Sequence, residues 1–140
     1  MSAGGPADVE GLVLAFDFGL KHIGVASGQT ITRTASALTT LRARDGKPDW
    51  HDVRMLVREW RPIRLIVGLP LNMDDTESEM SERARSFAQR LARETSVPVE
   101  MADERLTSRA AAETEGDSRS DQSHAAAAAL IAETWLAERG

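Results

Sequence analysis

Residues 12–28 read Leu-Val-Leu-Ala-Phe-Asp-Phe-Gly-Leu-Lys-His-Ile-Gly-Val-Ala-Ser-Gly. Leu12 to Phe16 is an apolar run that stops at Asp17-Phe18-Gly19, and its length together with the glycine stop predicts a buried strand that ends in a carboxylate. Ile23 to Ala26 is a second run of the same kind, and only Leu20, Lys21 and His22 separate it from Gly19, so the two are expected to pair as a hairpin. A carboxylate at the end of a buried strand is held rigidly with its oxygens at a solvent-accessible edge, as a metal ligand or catalytic base requires. Glycines at 19 and 24 let a phosphate or another stretch of backbone come close. The plainer reading, that Asp17 and Gly19 only build a turn, stands beside it on the pattern alone.

Downstream, residues 30–40 (TITRTASALTT) are rich in Thr and Ile and alternate in part, which predicts a third strand. Asp45-Gly46-Lys47-Pro48 reads as a turn and Asp49 as a helix N-cap. Trp50, Val53, Met55, Leu56 and Trp60 then form an amphipathic helix that ends before Pro62. Ile63 to Gly68 is almost continuously apolar and suits a strand inside a sheet. A loop over Leu69 to Asp75 leads to a helix from about Ser78 to Glu94, with Met80, Ala84, Phe87 and Leu91 on one face. Val97 to Ala102 is a short strand, Thr107 to Ala112 a short helix, Glu113 to Ser120 a polar, mobile segment, and Ser123 to Glu138 an alanine-rich helix. Three antiparallel strands followed by alternating helices and strands make an α/β fold, a mixed sheet with helices on its faces.

The 140 residues, 41% apolar and 28% charged, fit one domain over residues 12–140. Residues 1–11, small and turn-forming, are expected to be a disordered tail. The absence of cysteine excludes disulfides and zinc–thiolate sites and favours the cytoplasm. No apolar run approaches the roughly 20 residues of a bilayer span, and the start lacks a basic region before an apolar stretch, so neither a membrane protein nor a secreted one is expected. The net charge of -5 argues against a general nucleic-acid coat protein. Residues 1–68 hold 9 basic and 7 acidic groups, net +2, and residues 69–140 hold 8 and 15, net -7. The acidity of the second half is either solvated helix surface or a cation-binding cluster.

Asp103-Glu104-Arg105, with Thr107 and Ser108, directly follows a strand. If that strand lies near the first, Glu104 and Asp17 meet at one edge, where two carboxylates repel unless a cation sits between them. Read structurally, Asp103 caps the next helix and Glu104 pairs with Arg105. Asp121 and His124 open the alanine-rich helix on one face, although a negative charge at a helix N-terminus explains Asp121 without any function. Asn72 closes the strand exit Gly68-Leu69-Pro70-Leu71-Asn72, a common position for binding. Lys21, Arg33, Arg42, Arg44 and Lys47 offer a basic rim for phosphates, whereas Arg83, Arg85, Arg90 and Arg93 are expected to pair with neighbours such as Glu82 and Glu94.

Five segments in order, LAFDFGLKHIGVASG (14–28), PDW (48–50), IVGLPLNMD (66–74), RARSFAQRL (83–91) and DERLTS (103–108), together resemble the YqgF (RuvX) family, assigned to Holliday-junction resolution and to pre-16S ribosomal RNA cleavage. The resemblance implies a ribonuclease H-like fold: a five-stranded mixed sheet, its first three strands antiparallel, flanked by helices. It also implies a metal-dependent nuclease site of Asp17, Glu104 and Asp121, with His124 the alternative third ligand, holding Mg²⁺ or Mn²⁺. Lys21, Asn72, Arg105, Thr107 and Ser108 are the candidates for phosphate or sugar contacts. The implied activity is phosphodiester hydrolysis in 5′-end maturation of pre-16S rRNA. The alternatives are a Holliday junction resolvase and an RNA-binding ribosome-assembly module with weakened catalysis. The implied partners are precursor ribosomal RNA or branched DNA, and ribosomal particles, met by a monomer or homodimer. A phosphotransferase of the actin or sugar-kinase type also begins with a strand and Asp-x-Gly, but it needs two such domains, more than 140 residues hold.

Overall fold

Alternation along the first strand, β1 (Leu12–Asp17), divides its side chains between two cores. Leu14 and Phe16 face one way and join Val53, Val57, Phe87 and Leu91. Val13 and Ala15 face the other way and join Ile66, Ala102, Ile131, Ala132, Trp135 and Leu136. The first core lies under α1 (Trp50–Trp60) and α2 (Glu79–Thr95), and the second under α3 (Asp121–Arg139). The computed structural model describes residues 10–69, 79–103 and 121–139. The expected loop beyond Leu69, the helix at Thr107 to Ala112, the segment Glu113 to Ser120 and residues 1–9 of the expected tail lie outside these. Gly11 is held by its N–H to Thr30 Oγ1 at 2.8 Å.

The other strands are β2 (His22–Gln29), β3 (Thr34–Arg44), β4 (Lys47–Pro48), β5 (Arg64–Leu69) and β6 (Val99–Asp103), in the spatial order β4-β3-β2-β1-β5-β6. β1, β2 and β3 form the expected antiparallel meander, and β5 and β6 continue from β1 in parallel. The C-terminal ends of β1, β5 and β6 therefore share one edge with the start of β2 and the end of β3.

Among the described residues the sheet has six strands rather than the expected five. Asp45 (φ 53°) and Gly46 (φ 82°) both take left-handed backbone, the requirement of a two-residue hairpin turn that suits Asp-Gly. The chain thus folds back, and Lys47 and Pro48 pair with Arg44 and Ala43 before α1 begins. Two residues are too few to show a pattern. The third strand also starts four residues later than its threonine content suggests, because residues 30–33 form the reversal from β2, with Arg33 at φ 58°. Within the β2–β3 ladder, Val25 faces Thr39 and Ala26 faces Ala37, so Leu38 is an extra, bulged residue.

Asp49 caps α1 as expected, its Oδ1 accepting from the His51 N–H at 3.0 Å, and the helix ends at the left-handed Arg61 before Pro62. On the α3 side, Glu100 of β6 accepts from Trp135 Nε1 at 3.0 Å and pairs with Arg64 of β5. Glu100→Ala removes the acceptor those two groups share inside the protein and is expected to cost about 2 kcal/mol. A thermal melt will show this as a fall of several degrees, with Glu100→Gln losing less. No helix among the described residues is long and apolar enough to cross a membrane.

Candidate active site

Asp17 is positioned by its neighbours. Phe16 and Phe18 both pack against Phe87 of α2, with ring centroids 6.0 and 5.4 Å away, and Phe87 stacks on Trp50 at 5.6 Å. With the residues on either side clamped to the α1–α2 face, alternation turns Asp17 to the α3 face.

Two glycines shape the space that Asp17 enters. Gly24 lies opposite Asp17 in the β1–β2 ladder, and a Cβ there would run into the backbone carbonyl of His124. Its bare backbone lets the first turn of α3 descend onto β2 beside Asp17. Gly19 sits in the connection to β2, where a Cβ would meet the His22 carbonyl oxygen.

Between these elements lies an open cleft of about 560 Å³ lined by Asp17, Phe18, Gly19, Leu20, Lys21, His22 and His124. The His22 and His124 rings stack with centroids 4.8 Å apart and planes 19° from parallel. Asp17 is half-buried, and burial pushes its pKa up from 3.8 to about 6, because removal from water penalises the charged form. A carboxylate in this state gains from a cation placed against it, and its hard oxygens suit Mg²⁺ or Mn²⁺. The donor chemistry therefore fits a divalent ion. Among the described residues, no group of three or more His, Asp or Glu side chains converges to hold one.

The structure thus brings together three of the residues singled out from sequence: Asp17, Lys21 and His124. Asp121 is the first residue of α3. Asn72, Glu104, Arg105, Thr107 and Ser108 lie outside the described residues. β6 ends at Asp103, on the edge where β1 ends, with β5 between them. Sequence reasoning passed over His22, although it stands two residues before Gly24 and therefore on the same face of β2.

A family model described as "RuvX: Holliday junction resolvase" matches residues 11–138. A protein of Azotobacter vinelandii is 52% identical over 134 residues, covering 91% of this chain and 94% of its own. One of Saccharophagus degradans is 49% identical over 129 residues, covering 88% and 91%. Both are named "Putative pre-16S rRNA nuclease". Among solved structures, Thermus thermophilus RuvC in complex with a Holliday junction substrate superposes with a TM-score of 0.58 at 16% identity, covering 91% of this chain and 94% of that one. That likeness is one of fold, and the mixed sheet with helices on both faces is ribonuclease H-like.

Proposed function

The chain belongs to the RuvX family, and from that membership we propose that it is a divalent-metal-dependent nuclease of the cytoplasm. Its reaction is phosphodiester hydrolysis in 5′-end maturation of pre-16S rRNA within ribosome biogenesis, carried by a single domain over residues 12–140. The observation that carries this reading is Asp17, a half-buried carboxylate at the end of the central strand, facing an open cleft with its pKa raised by burial. β6 ends and α3 begins beside the same edge, each bringing an acidic residue in sequence, Glu104 just after Asp103 and Asp121 as the first residue of the helix.

Asp17, Glu104 and Asp121 would hold Mg²⁺ or Mn²⁺, with His124 the alternative third ligand. Bound ions supply positive charge at the scissile phosphate and make a water molecule more acidic. The chain's own contribution is placement: the Phe16–Phe18 clamp fixes Asp17, and Lys21 on the cleft wall offers its ammonium to a phosphate oxygen. Asn72, Arg105, Thr107 and Ser108 are assigned to the phosphate and sugar of the bound strand. A second reading, Holliday junction resolution, has the description of the matching family model in its favour, and its paired cuts call for a homodimer, whereas end trimming suits a monomer.

The deciding assay gives the purified protein a pre-16S rRNA fragment and a four-way DNA junction, each with Mg²⁺, with Mn²⁺ and with EDTA. The expected result is cleavage of the RNA at the mature 5′ end, with both metals and never with EDTA, and an intact junction. Symmetrical cutting of the junction would transfer the assignment to the resolvase. Inertness toward both substrates with both metals would leave only the RNA-binding assembly role.

A further inference from the structure

Arg42 and Arg44, at the end of β3, and Lys47, in β4, are exposed. None of them forms an ion pair among the described residues. Leu41 and Ala43 pack into the α1–α2 core, so alternation puts Arg42 and Arg44 on the opposite face, the one shared by Asp17 and His22. In the ladder Arg42 stands opposite His22, and Arg44 opposite Lys47.

The hairpin that carries them is fastened to the wall of the cleft. The Ala43 N–H donates to the Lys21 carbonyl at 2.8 Å and the Gly46 N–H to the Leu20 carbonyl at 2.9 Å. The two acids beside it are engaged elsewhere: Asp45 pairs with Arg83 of α2 at 3.3 Å, and Asp49 caps α1. What remains facing solvent is a row of positive charge that starts at the cleft with Lys21.

We propose that Lys21, Arg42, Arg44 and Lys47 form a phosphate track for the single-stranded segment of nucleic acid that flanks the scissile bond. The proposal rests on the nuclease reading for its orientation toward Asp17. Strands lie about 4.8 Å apart and residues about 3.3 Å along them, so Arg42, two strands and two residues from the level of Asp17, is about 12 Å away and Lys47, three strands and four residues, about 20 Å, a reach of a few nucleotides. Guanidinium forks match phosphate oxygens in pairs. α3 stands on the same face with its first turn against Gly24, and cations set in one row match the phosphates of one chain.

The test measures binding of a short fluorescein-labelled single-stranded RNA by anisotropy, without metal, over a salt series, and then cleavage kinetics with metal. Arg42→Ala/Arg44→Ala is expected to raise Kd at least about 10-fold and to flatten the dependence of log Kd on log salt by about 1.4, two phosphate contacts on a single strand. In cleavage it raises KM and leaves kcat within about twofold. Arg58→Ala, on the outer face of α1, changes neither, and circular dichroism melts check that all variants fold. If the double variant keeps the Kd and salt slope of Arg58→Ala, the track is overturned even when the wild type cleaves. If the wild type binds, the variant loses the slope and nothing is cut, the track stands and the nuclease reading falls. Binding of a duplex but not of the single strand overturns the track.

Discussion

Asp17→Asn is expected to abolish the proposed metal-dependent cleavage, by about 10³-fold or more, while raising the stability of the protein at neutral pH. The loss follows from the proposed role: an amide has the shape of the carboxylate but no charge with which to hold a divalent ion. The gain follows from burial. A carboxyl whose folded pKa is about 6 rather than 3.8 favours the folded state fully only below its unfolded pKa, and that contribution fades as pH rises through the folded value. Above pH 6 the ionised Asp17 leaves the wild type weaker by up to about 3 kcal/mol. Asn does not titrate, and the cost of burying its amide takes back part of the difference, so the expected net gain at neutral pH is about 1–3 kcal/mol. Urea denaturation in EDTA is the measurement: the variant and wild type should nearly coincide at about pH 4 and separate progressively toward pH 7. Added Mg²⁺ should narrow the gap by stabilising the wild type alone. A difference that stays constant across this range would sink the assignment of a burial-shifted Asp17.

Gly24→Ala is expected to be the most damaging single methyl group on the sheet. The added Cβ meets backbone, the carbonyl of His124, and backbone cannot rotate aside as a side chain can. Either the first turn of α3 lifts off β2 or β2 bends, at a cost of about 3 kcal/mol or more. The melting temperature should drop by roughly 10 °C, and cleavage should fall at least 10-fold because the first turn of α3, with His124, moves away from Asp17. Gly28→Ala is the matched comparison. Its Cβ would lie 3.1 Å from Val13 Cγ2 and 3.4 Å from Leu136 Cδ1, both side-chain methyls that can give way, so its cost should be about 1 kcal/mol. Equal losses from the two substitutions would show that α3 tolerates displacement at its N-terminus.

Much of this arrangement is legible in residues 12–28, because a short apolar run ending in Asp-Phe-Gly carries both the strand and the direction of its terminal carboxylate. The meander, α1 with its Asp49 cap, and the two-sided burial of β1 follow from period and turn chemistry alone. What pattern does not reach is anything set by pairing across the sheet. β4 is two residues long, and the offset of β3 depends on where the chain reverses. The partnership of His22 with His124 exists only because β2 and α3 are brought together at Gly24. Arg42, Arg44 and Lys47 could be grouped by charge, but their common face becomes visible only through the register that sets Arg42 opposite His22 and Arg44 opposite Lys47.

The bulge at Leu38 interrupts the regularity of the sheet's outer edge. Among the described residues β3 is the longest strand, at 11 residues, and only Ala43 and Arg44 are paired on its outer side, by β4. A long, regular outer edge is a template on which another chain can add a strand. Here the extra residue breaks the repeat in the middle, twisting the strand and spoiling the spacing that an incoming strand needs. The same edge ends at Pro48, which has no N–H to donate. An outer edge broken in this way is a poor template for strand addition.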